Sequence, residues 1–229
     1  AGAPCGATPP LAGGPETCTP GRQAGDVSAC LEPQHSAVLG FRLFNRMQAA
    51  CWERLYSGSG SLVVSAPTGA GKTALFEIAI LGMLRRHGAR GPGESGGAPK
   101  ALYLAPLKAL CDEKASEWIS KFETIGAQVA KLTGDTESRG TAVENATVIV
   151  ATPEMWDGFS RRSRAALDVL RAVELVCLDE VHMLNLPRRG AVLESAVARL
   201  RMCWRLQQDM GLRPADAAQA VGGPPSGPR

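Results

Sequence analysis

The octapeptide Ala66-Pro67-Thr68-Gly69-Ala70-Gly71-Lys72-Thr73 constrains this chain more than any other feature. A short β-prone run, Leu62-Val63-Val64, precedes it, and helical character extends from Thr73 to Arg86. Strand, glycine-rich turn and helix, in that order, form a phosphate cradle. The match to G-x-x-x-x-G-K-[ST] departs only at its first position, where Ala66 replaces Gly. Glycines let successive backbone N–H groups turn inward around phosphate oxygens. The following helix offers the same anion its N-terminal donors and positive partial charge. Lys72 places a full positive charge on the outer phosphates, and the Thr73 hydroxyl can hold Mg²⁺. A chance Gly-rich turn would lack the strand before and the helix after. Nucleotide binding is therefore expected of Ala66, Pro67, Thr68, Gly69, Ala70, Gly71, Lys72 and Thr73.

A phosphate cradle needs a carboxylate for its metal. Leu175-Val176-Cys177-Leu178 reads as a buried strand and runs directly into Asp179-Glu180-Val181-His182. An apolar strand ending in Asp-Glu is the expected second element. Asp179 would hold Mg²⁺ through water, because Mg²⁺ gives up its waters reluctantly. Glu180 would orient and deprotonate the attacking water. His182 would couple the nucleotide site to a second domain. Alone, an Asp-Glu at a strand end means only a solvated strand end. Its place downstream of the cradle, in the same alternating pattern, is what gives it a role.

Strands and helices alternate through the rest of the chain. Residues 101–104, 128–132 and 147–150 read as strands, and 108–122, 154–159, 165–173 and 191–205 as helices. This pattern specifies an α/β fold, a mostly parallel sheet with helices on both faces. Ligands of such sheets bind at the carboxyl edge of the strands. Ahead of the cradle, apolar residues recur at helical spacing through Phe41, Phe44, Met47, Cys51 and Leu55. Residues 1–36 are rich in Gly, Pro, Ala, Thr and Ser and are expected to be disordered, as is the tail 209–229. That leaves 37–208 as one ATP-binding domain. A literal G-x-G-x-x-G from Gly91 to Gly96 is rejected, because no strand precedes it, Pro92 interrupts it and no helix follows.

Composition narrows the class further. In 229 residues, 45% of them apolar, there is material for one substantial core. The net charge of +3 is too small to argue nucleic-acid binding by itself. The seven cysteines are odd in number, widely spaced and without a C-x-x-C pair, which argues against a disulfide framework or zinc site and for a reducing compartment. Cys177 reads as a small core residue. No run approaches the ~18 apolar residues of a membrane span, and the N-terminus lacks the basic and apolar regions of a secretory signal.

Ala-Pro-Thr-Gly-Ala-Gly-Lys-Thr followed by Asp-Glu-Val-His resembles motifs I and II of superfamily-two helicases. Other pieces match in order. Phe41 with Asn45-Arg46-Met47-Gln48 resembles the adenine-recognising segment ahead of motif I, which implies that Gln48 reads the adenine edge and Phe41 stacks on the ring. Ala105-Pro106-Leu107-Lys108-Ala109-Leu110 resembles motif Ia, and Thr133-Gly134-Asp135 and Ala151-Thr152-Pro153-Glu154 resemble the elements after it. Those segments imply contacts from Pro106, Lys108, Thr133, Gly134, Thr152 and Pro153 to a nucleic-acid backbone. Arg189-Gly190 with Leu193-Glu194 is similar to the Ski-like branch, and within it the chain most resembles the meiotic crossover type of DNA helicase. Trp156 would be a base-stacking residue or a half-buried core residue, and Arg161-Arg162-Ser163-Arg164 a solvated loop or a weak strand contact.

The resemblance implies a RecA-like P-loop NTPase lobe that uses ATP and Mg²⁺ on single-stranded or branched DNA, in the nucleus. It implies catalytic roles for Lys72, Asp179, Glu180 and His182, and metal contacts for Thr73 and Asp179. It also implies a second lobe carrying a transition-state arginine, and a Ser-Ala-Thr motif, neither of which appears in these 229 residues. Loss of an arginine finger lowers rate by on the order of 10³–10⁵. Nucleotide binding without efficient hydrolysis is therefore expected of this chain alone. Two alternatives stay open: a non-catalytic nucleotide- or nucleic-acid-binding fragment, and the lobe of a Ski-like RNA helicase.

Overall fold

The computed structural model describes residues 25–58, 60–87, 98–132, 140–162 and 164–211. The rejected glycine motif at 91–96, and the expected contacts Thr133 and Gly134, lie outside the described residues. Four parallel strands form the sheet: β1 (Lys100–Leu104), β2 (Val129–Lys131), β3 (Val148–Ala151) and β4 (Val173–Leu178), in the order β2-β3-β1-β4. Helices occupy both faces, as the alternation required. α3 (Arg46–Ser57), α4 (Lys72–His87) and α5 (Lys108–Glu123) pack on one face. α7 (Pro153–Ser160), α8 (Arg164–Ala172) and α9 (Arg189–Asp209) pack on the other, with the shorter α6 (Gly140–Asn145).

The period of two along each strand divides the core into these layers. Ala101 and Tyr103 of β1, and Val148 and Val150 of β3, point to the α4 and α5 side. Leu102, Leu104, Ile149 and Ala151 point to the α7 and α9 side. Central strands covered on both faces read as continuous apolar runs, and β1 and β3 are buried along their whole length.

Four expectations need correction. Leu62–Val64 is extended but belongs to no strand, and Val63 is 78% exposed. β propensity makes a strand only where a partner supplies the ladder, and none of the described residues does. β4 is consequently an edge strand. Of its residues only Val173 and Cys177 are buried, whereas 175–178 had been expected to be buried throughout. α3 begins at Arg46, not near Phe41, because Asn45 caps it: Asn45 Oδ1 accepts from the Gln48 N–H at 2.9 Å, and Gln48 Oε1 accepts from the Asn45 N–H at 3.0 Å. Finally, order begins before residue 37. α1 (Val27–Cys30), capped by Asp26, and α2 (Pro33–Leu39) bury Val27, Leu31, Val38 and Leu39 in the α4-side core.

α3 and α4 lie against each other at Gly82. A Cβ there would come within 2.5 Å of the Tyr56 carbonyl oxygen and 2.8 Å of that of Leu55. Absence of a side chain is what lets the two backbones meet.

Candidate nucleotide site

The loop from Ser65 to Gly71 turns on two residues with positive φ, Gly69 and Gly71, both at +80°. The Ala70 N–H donates to the Pro67 carbonyl at 3.2 Å, and α4 then begins at Lys72. The Lys72 ammonium donates to the carbonyls of Ala66 at 2.6 Å and Pro67 at 3.0 Å. Among the described residues it makes no ion pair with Asp179 or Glu180. Its charge is thus held at the loop by backbone dipoles. Around Gly69 nothing lies within 4 Å of a built Cβ, so the loop's outer side is open. Thr73, in the first turn of α4, is half-buried.

Asn45 and Gln48 grip this loop from behind. Asn45 Nδ2 donates to the Ala70 carbonyl at 2.9 Å and Gln48 Nε2 to the Gly71 carbonyl at 3.2 Å. The same two side chains form the capping box of α3, so one arrangement starts a helix and positions the cradle. Gln48 is 6% exposed, and its amide has one N–H and one lone pair left over. The expected reading of adenine by Gln48 would fall to that remaining N–H and lone pair, with its grip on the loop kept. Phe41 is half-buried and meets Phe44 edge-on at 6.0 Å, while Phe44 stacks on Trp52. Asn45 was not expected to touch the cradle. The N-x-x-Q capping signature was the signal for its helix role, but not for the loop contact.

At the far end of β4, the Asp179 N–H continues the ladder to the Leu104 carbonyl at 2.9 Å. Oδ1 of Asp179 accepts from the Glu180 N–H at 2.9 Å, and Oδ2 accepts from the Tyr103 hydroxyl at 2.6 Å. Tyr103 was missed in the sequence. It pairs with Cys177 across β1 and β4, and Asp179 lies two residues further along on the same face. A tyrosine in an otherwise aliphatic buried strand was the available signal, since a buried hydroxyl requires a partner. Burial, and then the hydrogen bond to Asp179, push the Tyr103 hydroxyl well above the ordinary phenol range, so it stays a donor. Burial likewise pushes the Cys177 thiol up to about 12, which keeps it an uncharged core group.

Glu180 adopts left-handed backbone geometry, φ 50° and ψ 47°, and leads into a 3₁₀ turn over Val181–Asn185. For a residue other than glycine that conformation stores about 1–3 kcal/mol of strain. It turns Glu180 outward, 48% exposed at its side chain, where Oε2 lies 3.2 Å from His182 Nδ1. His182 is 76% exposed.

Packing brings the two halves of the site to one edge. Phe76, one turn into α4 from Lys72, meets Tyr103 edge-on at 5.4 Å, and Tyr103 bonds Asp179. Lys72, Thr73, Asp179 and Glu180 therefore share the carboxyl edge of the sheet, where α/β folds place ligands. The donor set fits Mg-nucleotide: a loop turning on two positive-φ glycines and open around Gly69, a 16-residue helix starting at Lys72, and a hydroxyl and a carboxylate for a hard cation.

Pro106 and Lys108 follow β1, and Thr152 and Pro153 follow β3, so these four lie on the same edge. Lys108 is exposed, whereas Pro153 is buried and Thr152 Oγ1 accepts from the Met155 N–H at 3.4 Å as the cap of α7. Trp156 is fully buried, in contact with Phe159. It is core and cannot stack on a base. Its Nε1 has no partner among the described residues. Arg161 pairs with Asp157 at 2.9 Å, which offsets part of the basic run.

Comparison with known proteins gives the family and the fold. The profile of the family described as "DEAD/DEAH box helicase" matches residues 45–214. An "ATP-dependent DNA helicase MER3 homolog" of Oryza sativa subsp. japonica is 40% identical over 183 residues, which cover 78% of this chain and 15% of that protein. The "DExH-box ATP-dependent RNA helicase DExH14" of Arabidopsis thaliana is 34% identical over 180 residues, 79% of this chain and 8% of that one. The chain thus spans a small fraction of the length of the relatives it matches. Among solved structures, the DUF1998 helicase MrfA bound to DNA and AMPPNP superposes with a TM-score of 0.64 at 18% identity, over 80% of this chain and 26% of that one, which shows the fold. With the cradle, the acidic strand end and the family profile in agreement, this chain belongs to the DEAD/DEAH box helicase family.

Proposed function

We propose that this chain is the ATP-binding lobe of an ATP-dependent 3′-to-5′ DNA helicase of meiotic recombination, acting in the nucleus. The observation that carries the nucleotide part is the shared edge: Lys72 and Thr73 at the start of α4, and Asp179 held through Tyr103 beneath it. Similarity to the rice protein named as a DNA helicase supports the substrate.

In this reading Gly69 and Gly71 present backbone N–H groups to the phosphates, Ala70 joins them by giving up its bond to the Pro67 carbonyl, and Ala66, Pro67 and Thr68 shape the turn. Lys72 leaves its two carbonyl partners for the outer phosphates, an exchange of dipole contacts for a full opposite charge. Mg²⁺, when bound, neutralises charge that develops on the phosphates. Thr73 would hold it through its hydroxyl and Asp179 through water. Glu180 accepts the proton of the attacking water, and His182, 3.2 Å from Glu180, senses a second domain. Gln48 and Phe41 flank the base. Pro106, Lys108, Thr152 and Pro153, on the same edge, are proposed to meet the nucleic-acid backbone, a role that the resemblance implies for Thr133 and Gly134 as well. The domain expected over 37–208 is proposed to take in α1 and α2 as well, since both contribute to its core. Hydrolysis needs the cation of a second lobe, so the chain alone binds nucleotide and turns it over poorly.

The test has two arms. Mg-ATP affinity should be measurable in this chain and lost in Lys72→Ala. A form carrying a second lobe should hydrolyse ATP faster with single-stranded DNA. A folded two-lobe form without DNA-stimulated turnover would overturn the proposal. The Arabidopsis relative named as an RNA helicase favours RNA as the competing substrate. A grip on the backbone does not choose between the two. Greater stimulation by single-stranded RNA than by DNA in the two-lobe form would decide for it.

A further inference from the structure

Tyr103 is 1% exposed, in a strand whose other members are Lys100, Ala101, Leu102 and Leu104. Its ring is held between Phe76 of α4, edge-on at 5.4 Å, and Trp118 of α5, edge-on at 5.0 Å. Trp118 is itself fixed, since its Nε1 donates to Glu77 Oε1 at 2.9 Å and Lys121 bonds the same oxygen at 2.8 Å. Phenylalanine would fill this space equally well. Packing therefore accounts for the ring and not for the hydroxyl, and burying a hydroxyl is unfavourable unless it is bonded. The hydroxyl's bond is to Asp179 Oδ2, at 2.6 Å, while Oδ1 takes the Glu180 N–H. Both oxygens are thus tied to rigid groups, and the carboxylate has no freedom to rotate. Each oxygen keeps a lone pair.

We propose that Tyr103 is a positioning residue for the nucleotide site: its hydroxyl sets the orientation of the Asp179 carboxylate toward the magnesium of a bound nucleotide. The inference rests on the function proposed above. Tyr103 touches neither nucleotide nor metal and acts only through Asp179. Groups that orient a metal's carboxylate raise affinity because the rotation is already frozen before binding. Tyr103 also bridges α4 and α5, so the carboxylate's orientation is referenced to the helix that starts at Lys72.

The experiment is Tyr103→Phe in the full chain, with binding of a fluorescent ATP analogue measured in Mg²⁺ and in EDTA. Tyr103→Phe should bind as the wild type does in EDTA. In Mg²⁺ it should bind roughly 10- to 100-fold more weakly, the span expected when the group that orients a metal's ligand is removed. The midpoint of a Mg²⁺ titration should rise by the same factor. The urea unfolding midpoint of the variant reports whether packing survives. On an Asp179→Asn background the effect of Tyr103→Phe should vanish. A Mg²⁺ dependence identical in wild type and Tyr103→Phe, or an effect that persists with Asp179→Asn, overturns the inference and leaves the proposed function standing. A wild-type chain with no Mg²⁺-dependent nucleotide binding overturns both.

Discussion

Gln48 and Gly71 are joined by a single amide: Gln48 Nε2 donates to the Gly71 carbonyl while its Oε1 completes the cap of α3. A helix start and a phosphate loop are thereby held in one register. Gln48→Ala removes both bonds and should lower stability by about 1–2 kcal/mol. Nucleotide affinity should fall as well, since the loop loses its support. Urea unfolding and Mg-ATP titration of the variant measure the two effects.

Gly71 has a second constraint that Gly69 lacks. Both sit at φ +80°, but a Cβ on Gly71 would lie 2.7 Å from Gln48 Nε2, whereas one on Gly69 meets nothing within 4 Å. Gly69→Ala should therefore show only the left-handed backbone penalty, about 1–2 kcal/mol. Gly71→Ala should show that penalty together with displacement of Gln48, and the larger loss of nucleotide affinity. Equal stabilities and equal affinities for the two variants would contradict this assignment.

Gly82 offers a contest between propensity and packing. Alanine in a helix interior is favoured over glycine by about 1 kcal/mol. Here its Cβ would sit 2.5 Å from the Tyr56 carbonyl, on the backbone of α3, which cannot swing away. Overpacking of this kind is unfavourable by about 1–3 kcal/mol. Gly82→Ala should be net destabilising, seen as a lower urea midpoint.

Lys100 should give the protein a pH dependence of known sign. It is 5% exposed and donates to the carbonyls of Glu144 and Ala146, each at 2.6 Å. Burial lowers its pKa from 10.5 to about 8. A cation whose folded pKa is depressed contributes stability that is present above the unfolded value and is lost as pH falls through the folded one. Relative to Lys100→Met, the wild type should therefore gain roughly 3 kcal/mol between pH 7 and pH 10.5. Urea unfolding of both proteins across that range checks it, and a flat difference would refute it.

The sequence by itself determined the glycine loop and following helix of the cradle, the acidic strand end and the alternation that produces a parallel sheet with helices on both faces. These are local statements, carried by glycine's access to positive φ at Gly69 and Gly71, by the helix that opens at Lys72, and by apolar runs of strand length. Only the tertiary structure decided which neighbour each element found. It left Leu62–Val64 without a ladder, because hydrogen-bond partners are supplied by other segments and not by propensity. It exposed β4 as an edge, buried Trp156, and extended the fold back through α2. It also brought Tyr103 to Asp179, a pair far apart in sequence whose meeting depends on the register of β1 against β4. No pattern along one strand encodes what the adjacent strand will present to it.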